Sequence, residues 1–143
     1  MINHEDSAML LTLLAFLLSG LGLWIATYFT AVSYRWVKPD VKWIPQFCQL
    51  KESSCQLVVH TPRAKLFGIP NSVYGIFLYA YLLLYFVGAP LPWWIALAGT
   101  GLATLRSIYL AYSLLFITRI PCPLCFTTHL INIFLFIYLW LSR

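Results

Sequence analysis

The chain has 143 residues, of which 62% are apolar and only 9% are charged. A soluble domain carries roughly 25% charged residues, so one small core could not hide this much apolar surface, and lipid must cover most of it. The net charge of +5 comes from a few basic residues scattered between apolar runs, which argues against nucleic-acid binding. We therefore predict a single all-α integral membrane domain over residues 1–143.

Four apolar runs predict four transmembrane helices, because each holds at least about the 18 residues that a helix needs to cross a bilayer. The first run lacks a preceding basic segment and a clear cleavage site, which argues against a cleaved signal peptide. It is also longer than a hydrocarbon core of about 30 Å, so it should tilt or project beyond the membrane. The predicted spans are residues 8–34, 69–87, 93–118 and 124–141.

The connections between these spans differ in length. Residues 35–68 form one long polar loop, here called the cap loop, whereas residues 88–92 and 119–121 are short breaks. Pro70 suits the first position of the second helix, because proline loses no helical hydrogen bond there. Asn71 would then lie in the first turn of that helix.

The four cysteines fall in or beside the polar breaks. Cys48 and Cys55 lie in the cap loop, and Cys122 and Cys125 form a C-x-x-C at the start of the last span. With four spans, the first and third connections share one face of the membrane. Both pairs would therefore lie on the same side, where electrons can pass between them by thiol–disulfide exchange.

The C-x-x-C has the properties of a reactive pair. Pro123 suits the first position of a helix, which places Cys122 near the N-cap and Cys125 about one turn in. Free N–H groups and the helix dipole favour a thiolate there, and the Cα separation of about 5–6 Å allows a disulfide. A structural disulfide or two inert thiols is the open alternative.

The cap-loop pair is spaced more widely. If the segment were helical, Cys48 and Cys55 would lie about 10 Å apart, too far for a disulfide, so bridging them requires a bent or unwound segment. Such a bond suits a shuttle, although a static loop staple is also open. Zinc ligands usually come in closer pairs on both sides, so we predict no metal site.

Three sequence features occur here in the order typical of the vitamin K epoxide reductase family. They are the widely spaced cysteines Cys48 and Cys55, residues 67–75 at the start of the second span, and residues 122–132 at the start of the fourth. The chain resembles that family over nearly its whole length. The resemblance implies a four-helix bundle around a quinone, with a short helical segment in the cap loop. The quinone would be vitamin K, its epoxide, menaquinone or ubiquinone. No fused thioredoxin-like domain is expected, so a thioredoxin-like redox protein would act in trans.

The resemblance also implies a role for each cysteine. Cys122 and Cys125 would be the catalytic pair, with Cys125 the thiolate that reacts with the quinone ring. Cys48 and Cys55 would be the shuttle pair. Cys48 would exchange with the dithiol of the partner, and Cys55 would pass electrons to Cys122.

Three further residues are implied to contact the substrate. Asn71 matches a residue that hydrogen-bonds one quinone oxygen, and Thr61 lies where relatives have a serine or threonine in the cap loop. His129 replaces a tyrosine that hydrogen-bonds the other oxygen in animal members, which leaves the natural quinone and epoxide reduction open. The alternatives are a helix-end capping role for Asn71, a bond from His129 to a backbone carbonyl one turn back, and an ordinary turn residue at Thr61.

Arg106 lies within the third span, while every acidic residue lies outside the spans, so backbone carbonyls, water or a ligand must pair with it. The basic cap loop points to the cytoplasm by the positive-inside rule, whereas a disulfide relay should face an oxidising compartment. We expect a multi-pass protein of the endoplasmic reticulum membrane or bacterial inner membrane, with its cysteines facing the lumen or periplasm.

Two other functions remain open. An enzyme of the unrelated DsbB type would generate disulfides with ubiquinone or menaquinone, but its C-x-x-C precedes the spaced pair. A non-enzymatic tetraspan protein would use the cysteines as structural staples.

Overall fold

The computed structural model describes residues 3–34, 36, 62, 65–117, 119 and 123–142. Within these residues, four α-helices follow the predicted order, and a two-stranded antiparallel ribbon precedes the second helix. The third helix continues directly into a π-helical turn, Ser113–Ile117. The elements are α1 (His4–Ser33), β1 (Lys65–Leu66), β2 (Ile69–Pro70), α2 (Asn71–Phe86), α3 (Trp93–Tyr112) and α4 (Pro123–Ser142).

Three of the four described helices have the length and composition of transmembrane helices, and the predicted fold class, a membrane helical bundle, is confirmed. Among the described residues, α1, α4 and the combined segment Trp93–Ile117 are each long and apolar enough to cross a membrane. Large apolar side chains cover the outside of the bundle; Leu102 and Leu105 of α3, for example, are 69% and 66% exposed. Helices that are apolar on every side bury one face against each other and present the others to lipid.

The second helix is shorter than predicted. The apolar run suggested residues 69–87, but α2 has 16 residues, which is about 24 Å at the usual helical rise. Ile69 and Pro70 belong instead to β2, where they pair with Leu66 and Lys65. Pro70 has an extended backbone, with φ −56° and ψ 139°, and is the N-cap. The prediction of Pro70 as the first helical residue was therefore wrong by one position, and α2 begins at Asn71.

The ribbon is a hairpin with a two-residue turn. This hairpin was not predicted from the sequence. Phe67 and Gly68 form the turn and have φ angles of 54° and 80°. A two-residue turn of type I′ requires positive φ at both positions, because its twist then matches that of the strands. Glycine adopts this conformation freely, whereas an aromatic residue does so rarely. The hairpin joins the end of the cap loop to the start of α2.

The first helix is longer than a hydrocarbon core, as expected. With 30 residues, α1 extends about 45 Å, more than the hydrocarbon core of about 30 Å. It begins at His4, before the predicted start at residue 8. Its later half packs against α2, where Gly75 would bring an added Cβ to 3.4 Å from the Cβ of Ala26. This close approach brings the backbones of α1 and α2 together beside the start of α2.

The core lies in two clusters of buried side chains. One is close to the start of α4 and includes Tyr28, Leu124 and Cys125. The other lies further along the bundle and includes Tyr79, Leu82 and Leu135. Polar side chains between the helices lie among these clusters and line the cavity described next.

Candidate functional site

A cavity of about 420 Å³ lies between the four helices, at the end of the bundle where α2 and α4 begin. Its walls come from the later half of α1, residues 71–79 of α2, the part of α3 from Gly99 onward with the π-helical turn, the first half of α4, and the hairpin. The volume falls within the range typical of small-molecule sites. The lining is mostly apolar, with polar side chains at separate positions: Asn71, Ser72, Tyr74, Tyr79, Arg106, Ser107, Ser113, Thr128, His129 and Asn132.

Three residues that were predicted to act together line this one cavity. Asn71 is the first residue of α2, and Cys125 and His129 lie on α4, four residues and about one turn apart. Residues at that spacing share a helix face, so the Cys125 and His129 side chains enter the cavity from the same wall. Helix α4 begins at Pro123, as predicted, which puts the buried Cys125 in its first turn.

The imidazole of His129 lacks a hydrogen-bond partner in the part of the chain that the structure describes, although its ring lies edge-on to Phe126. Both of its ring nitrogens are buried, and neither has a hydrogen-bond partner there. The carbonyl one turn back, that of Cys125, accepts a bond of 2.8 Å from Thr128 Oγ1. The alternative in which His129 is satisfied by that carbonyl is therefore not seen. A buried polar group without a partner is costly, so a ligand in the cavity would stabilise this ring.

The start of α2 is tied to α1 by a hydroxyl pair. Thr30 Oγ1 donates to Ser72 Oγ at 2.9 Å. The same Thr30 oxygen is 2.8 Å from the Ala26 carbonyl of its own helix. This contact fixes the first turn of α2, and with it the neighbouring Asn71, against α1.

Arg106 reaches from α3 to the hairpin. Its Nη2 donates to the Lys65 carbonyl of β1 at 3.4 Å, and its guanidinium lies 5.0 Å from the centre of the Tyr109 ring. Of the partners considered from the sequence, a backbone carbonyl is thus one that the structure supplies. Arg106 also lines the cavity, so it places a positive charge between the hairpin and the interior of the bundle.

A hydrogen-bonded chain crosses the cavity from α2 through α4 to α3. The Tyr79 hydroxyl donates to Asn132 Oδ1 at 2.6 Å, and Asn132 Nδ2 donates to Ser107 Oγ at 2.8 Å. Thr104 Oγ1 also donates to the Asn132 backbone carbonyl, at 3.1 Å. From the sequence, position 132 was only the end of the segment 122–132 that opens the fourth span, and no role was predicted for Tyr79, Thr104 or Ser107. A polar side chain in an apolar span needs a partner, and that requirement could have drawn attention to them.

Several predicted residues cannot be placed in this cavity. Cys48, Cys55, Thr61 and Cys122 lie outside the described residues, as does the short helical segment expected in the cap loop. Their roles, and the gathering of the two cysteine pairs on one face, stay predictions. What the structure provides is the part of the predicted site that contains Cys125, Asn71 and His129.

A comparison with protein-family models matches the vitamin K epoxide reductase family over residues 13–140. The matched range contains every helical residue that lines the cavity, together with both cysteine pairs. It covers nearly the whole chain.

Proposed function

Because this chain belongs to the vitamin K epoxide reductase family, we propose that it is a membrane oxidoreductase that couples disulfide formation in a thioredoxin-like partner to reduction of a quinone. One observation carries the proposal. The buried thiol of Cys125 and the unpartnered imidazole of His129 border the same largely apolar cavity inside the bundle.

The cavity suits a quinone in polarity as well as position. A lipid-soluble ring partitions into an apolar site among membrane helices, and its two carbonyl oxygens need hydrogen-bond donors. Asn71 supplies an amide donor from α2, and His129 supplies a ring N–H from α4. The two residues lie on different helices, so a ring between them can meet a donor at each end.

The proposed reaction transfers two electrons and two protons. The Cys125 thiolate adds to a carbon of the quinone ring, and the thiol of Cys122 then attacks the Cys125 sulfur. The new S–S bond forms as the carbon–sulfur bond breaks, and its electron pair stays on the ring. The two protons lost by the thiols complete the quinol. Cys122 and Cys125 are thereby oxidised, and the quinone is reduced.

The remaining cysteines would return the catalytic pair to its reduced state. Cys55 would reduce the Cys122–Cys125 disulfide, and the Cys48–Cys55 disulfide would then oxidise a thioredoxin-like dithiol. We place Thr61 beside the quinone from the cap-loop side, as its motif position implies. The acceptor would be vitamin K, its epoxide, menaquinone or ubiquinone.

The proposed disulfide exchange also indicates which compartment the cysteines face. A partner that receives disulfides works in an oxidising compartment, so the cysteines would face the lumen of the endoplasmic reticulum or the periplasm. The basic cap loop would then lie on the side that the positive-inside rule disfavours. Labelling of single cysteines in sealed vesicles tests this orientation.

The decisive experiment measures quinone reduction by the purified protein, with dithiothreitol as the electron donor. The wild type should reduce members of a panel of menadione, menaquinone, ubiquinone and vitamin K epoxide. Cys125→Ser, which keeps the size of the side chain, should abolish turnover. Thr100→Val is the matched control, because Thr100 is a buried α3 hydroxyl outside the cavity lining.

Two results would contradict the proposal. Unchanged turnover in Cys125→Ser would remove the assigned role of that thiol. Disulfides that form and break without any response to added quinone would point instead to a structural scaffold.

A further inference from the structure

The hydrogen-bonded chain Tyr79–Asn132–Ser107 has a defined direction from donor to acceptor. A tyrosine hydroxyl donates to the Asn132 carbonyl oxygen Oδ1, so the amide nitrogen of Asn132 must face Ser107 and donate to it. Both hydroxyl residues are buried, each with 3% of its surface exposed. Because Ser107 Oγ accepts the bond from Asn132, its own proton stays available for another acceptor.

Ser107 differs in this respect from other buried hydroxyls of the bundle. Ser19 and Thr100 each donate to the carbonyl four residues earlier, at 2.8 Å. Such a bond is the usual way for a helical serine or threonine to use its proton inside a membrane. Within the described part of the chain, Ser107 shows no bond of this kind, and the residue lines the cavity. Its proton therefore lacks an acceptor on the helix and has the cavity beside it.

The position of Ser107 relative to His129 matters for the ligand. His129 and Asn132 are three residues apart on α4 and share a helix face, and Ser107 is hydrogen-bonded to Asn132. Ser107 therefore lies about one helical turn further into the bundle than His129, on the same side of the cavity. A carbonyl oxygen has two lone pairs and accepts two hydrogen bonds.

Taking the ligand to be the quinone of the function proposed above, we propose that Ser107 is a further binding residue, which donates a hydrogen bond to the ring oxygen that His129 also contacts. Tyr79 and Asn132 are positioning residues. They orient the serine proton towards the cavity and polarise it, because hydrogen bonds in a chain strengthen one another where the surroundings are apolar. One residue from α2 and one from α4 thus hold this α3 donor in place.

The test uses menadione labelled with ¹³C at a carbonyl carbon, with infrared difference spectra of the bound quinone. A carbonyl that accepts a hydrogen bond absorbs at lower frequency than a free one. In Ser107→Ala, the band should move to higher frequency, and the affinity measured by tryptophan quenching should fall about 3- to 10-fold. In Tyr79→Phe, the band should move the same way by a smaller amount, although no atom that contacts the quinone has been removed.

Thr100→Val is the control for both variants. It removes a buried hydroxyl from the same helix, but that hydroxyl bonds to the carbonyls of Ala96 and Leu97 and lies outside the cavity lining. Its bound-quinone spectrum should match that of the wild type. A structural role for the chain would lower the unfolding temperature of the Ser107 and Tyr79 variants without moving the band.

The outcomes separate this proposal from the function on which it rests. A band at the wild-type frequency in either variant, in a protein that still binds and reduces menadione, overturns the role of the chain and leaves the oxidoreductase intact. Failure of the wild type to bind or reduce any quinone overturns both.

Discussion

Gly22 of α1 lies against the ring of Tyr79 of α2, so closely that a Cβ at position 22 would stand 2.6–2.9 Å from three ring atoms. A Cβ atom essentially never lies within 3.0 Å of a heavy atom from another part of the chain, so any residue larger than glycine must displace the ring. The same ring carries the hydroxyl that bonds to Asn132 at 2.6 Å. Packing between α1 and α2 and the hydrogen-bonded chain of the cavity therefore depend on one glycine.

We expect Gly22→Ala to weaken both the bundle and the quinone site. Overpacking of this kind usually costs about 1–3 kcal/mol, and here it also pushes Tyr79 away from Asn132. The variant should unfold at a lower temperature in detergent and bind menadione less tightly. Gly20→Ala is the control, because nothing lies within 4 Å of a Cβ at position 20 of the same helix. Equal stability and affinity in the two variants would contradict the packing described here.

Gly68 and Gly88 form a second matched pair. Both have positive φ, 80° and 91°, with open space around the missing Cβ, so alanine strains the backbone at either place by about 1–2 kcal/mol. Gly68 lies in the hairpin that borders the cavity, whereas Gly88 follows the far end of α2. We expect both alanine variants to lose similar stability, but only Gly68→Ala should raise the KM for quinone. A similar rise in Gly88→Ala would show that the hairpin has no special relation to the site.

The motif residues could be predicted because their placement follows from helix starts. Proline marks the start of α4 and ends β2, and the helical repeat then carries Cys125 and His129 to one wall. The hairpin was missed because strands of two residues have no measurable periodicity. The hairpin also explains why α2 is short, because Ile69 and Pro70 of the apolar run form its second strand.

The hydrogen bonds that link Tyr79, Asn132 and Ser107 were not predicted, for a different reason. Spans that are apolar on all sides do not reveal which face meets a neighbour, so the rotation of α2 and α3 cannot be deduced from their hydrophobic pattern. Tyr79 and Ser107 are recognisable as polar residues in apolar runs. That they meet through Asn132 depends on the relative rotation of three helices, which appears only in the assembled bundle.

The contact between Arg106 and the hairpin predicts a local effect on dynamics. Arg106→Met keeps an apolar stem but removes the donor to the Lys65 carbonyl. The hairpin should then open more often, and amide hydrogen exchange in residues 65–69 should become faster. Leu105→Met is the control, because Leu105 is the adjacent residue and is 66% exposed on the outside of the bundle. Unchanged exchange in Arg106→Met would mean that the contact of 3.4 Å contributes nothing to holding the hairpin.

His129 predicts a difference between two aromatic substitutions. Its ring nitrogens are buried without a hydrogen-bond partner among the described residues, so a ligand oxygen is the partner that we assign to them. His129→Phe keeps an aromatic ring but has no donor, and the affinity for menadione should fall about 3- to 10-fold. His129→Tyr restores a donor at the end of a longer ring and should retain most of the affinity. Replacing ring nitrogens that have no hydrogen-bond partner among the described residues, while keeping an aromatic ring beside Phe126, should not destabilise the bundle, so His129→Phe should unfold at or above the wild-type temperature. Wild-type affinity in His129→Phe would exclude a hydrogen bond from this residue to the quinone, and a large loss of stability would reveal a structural partner for the imidazole.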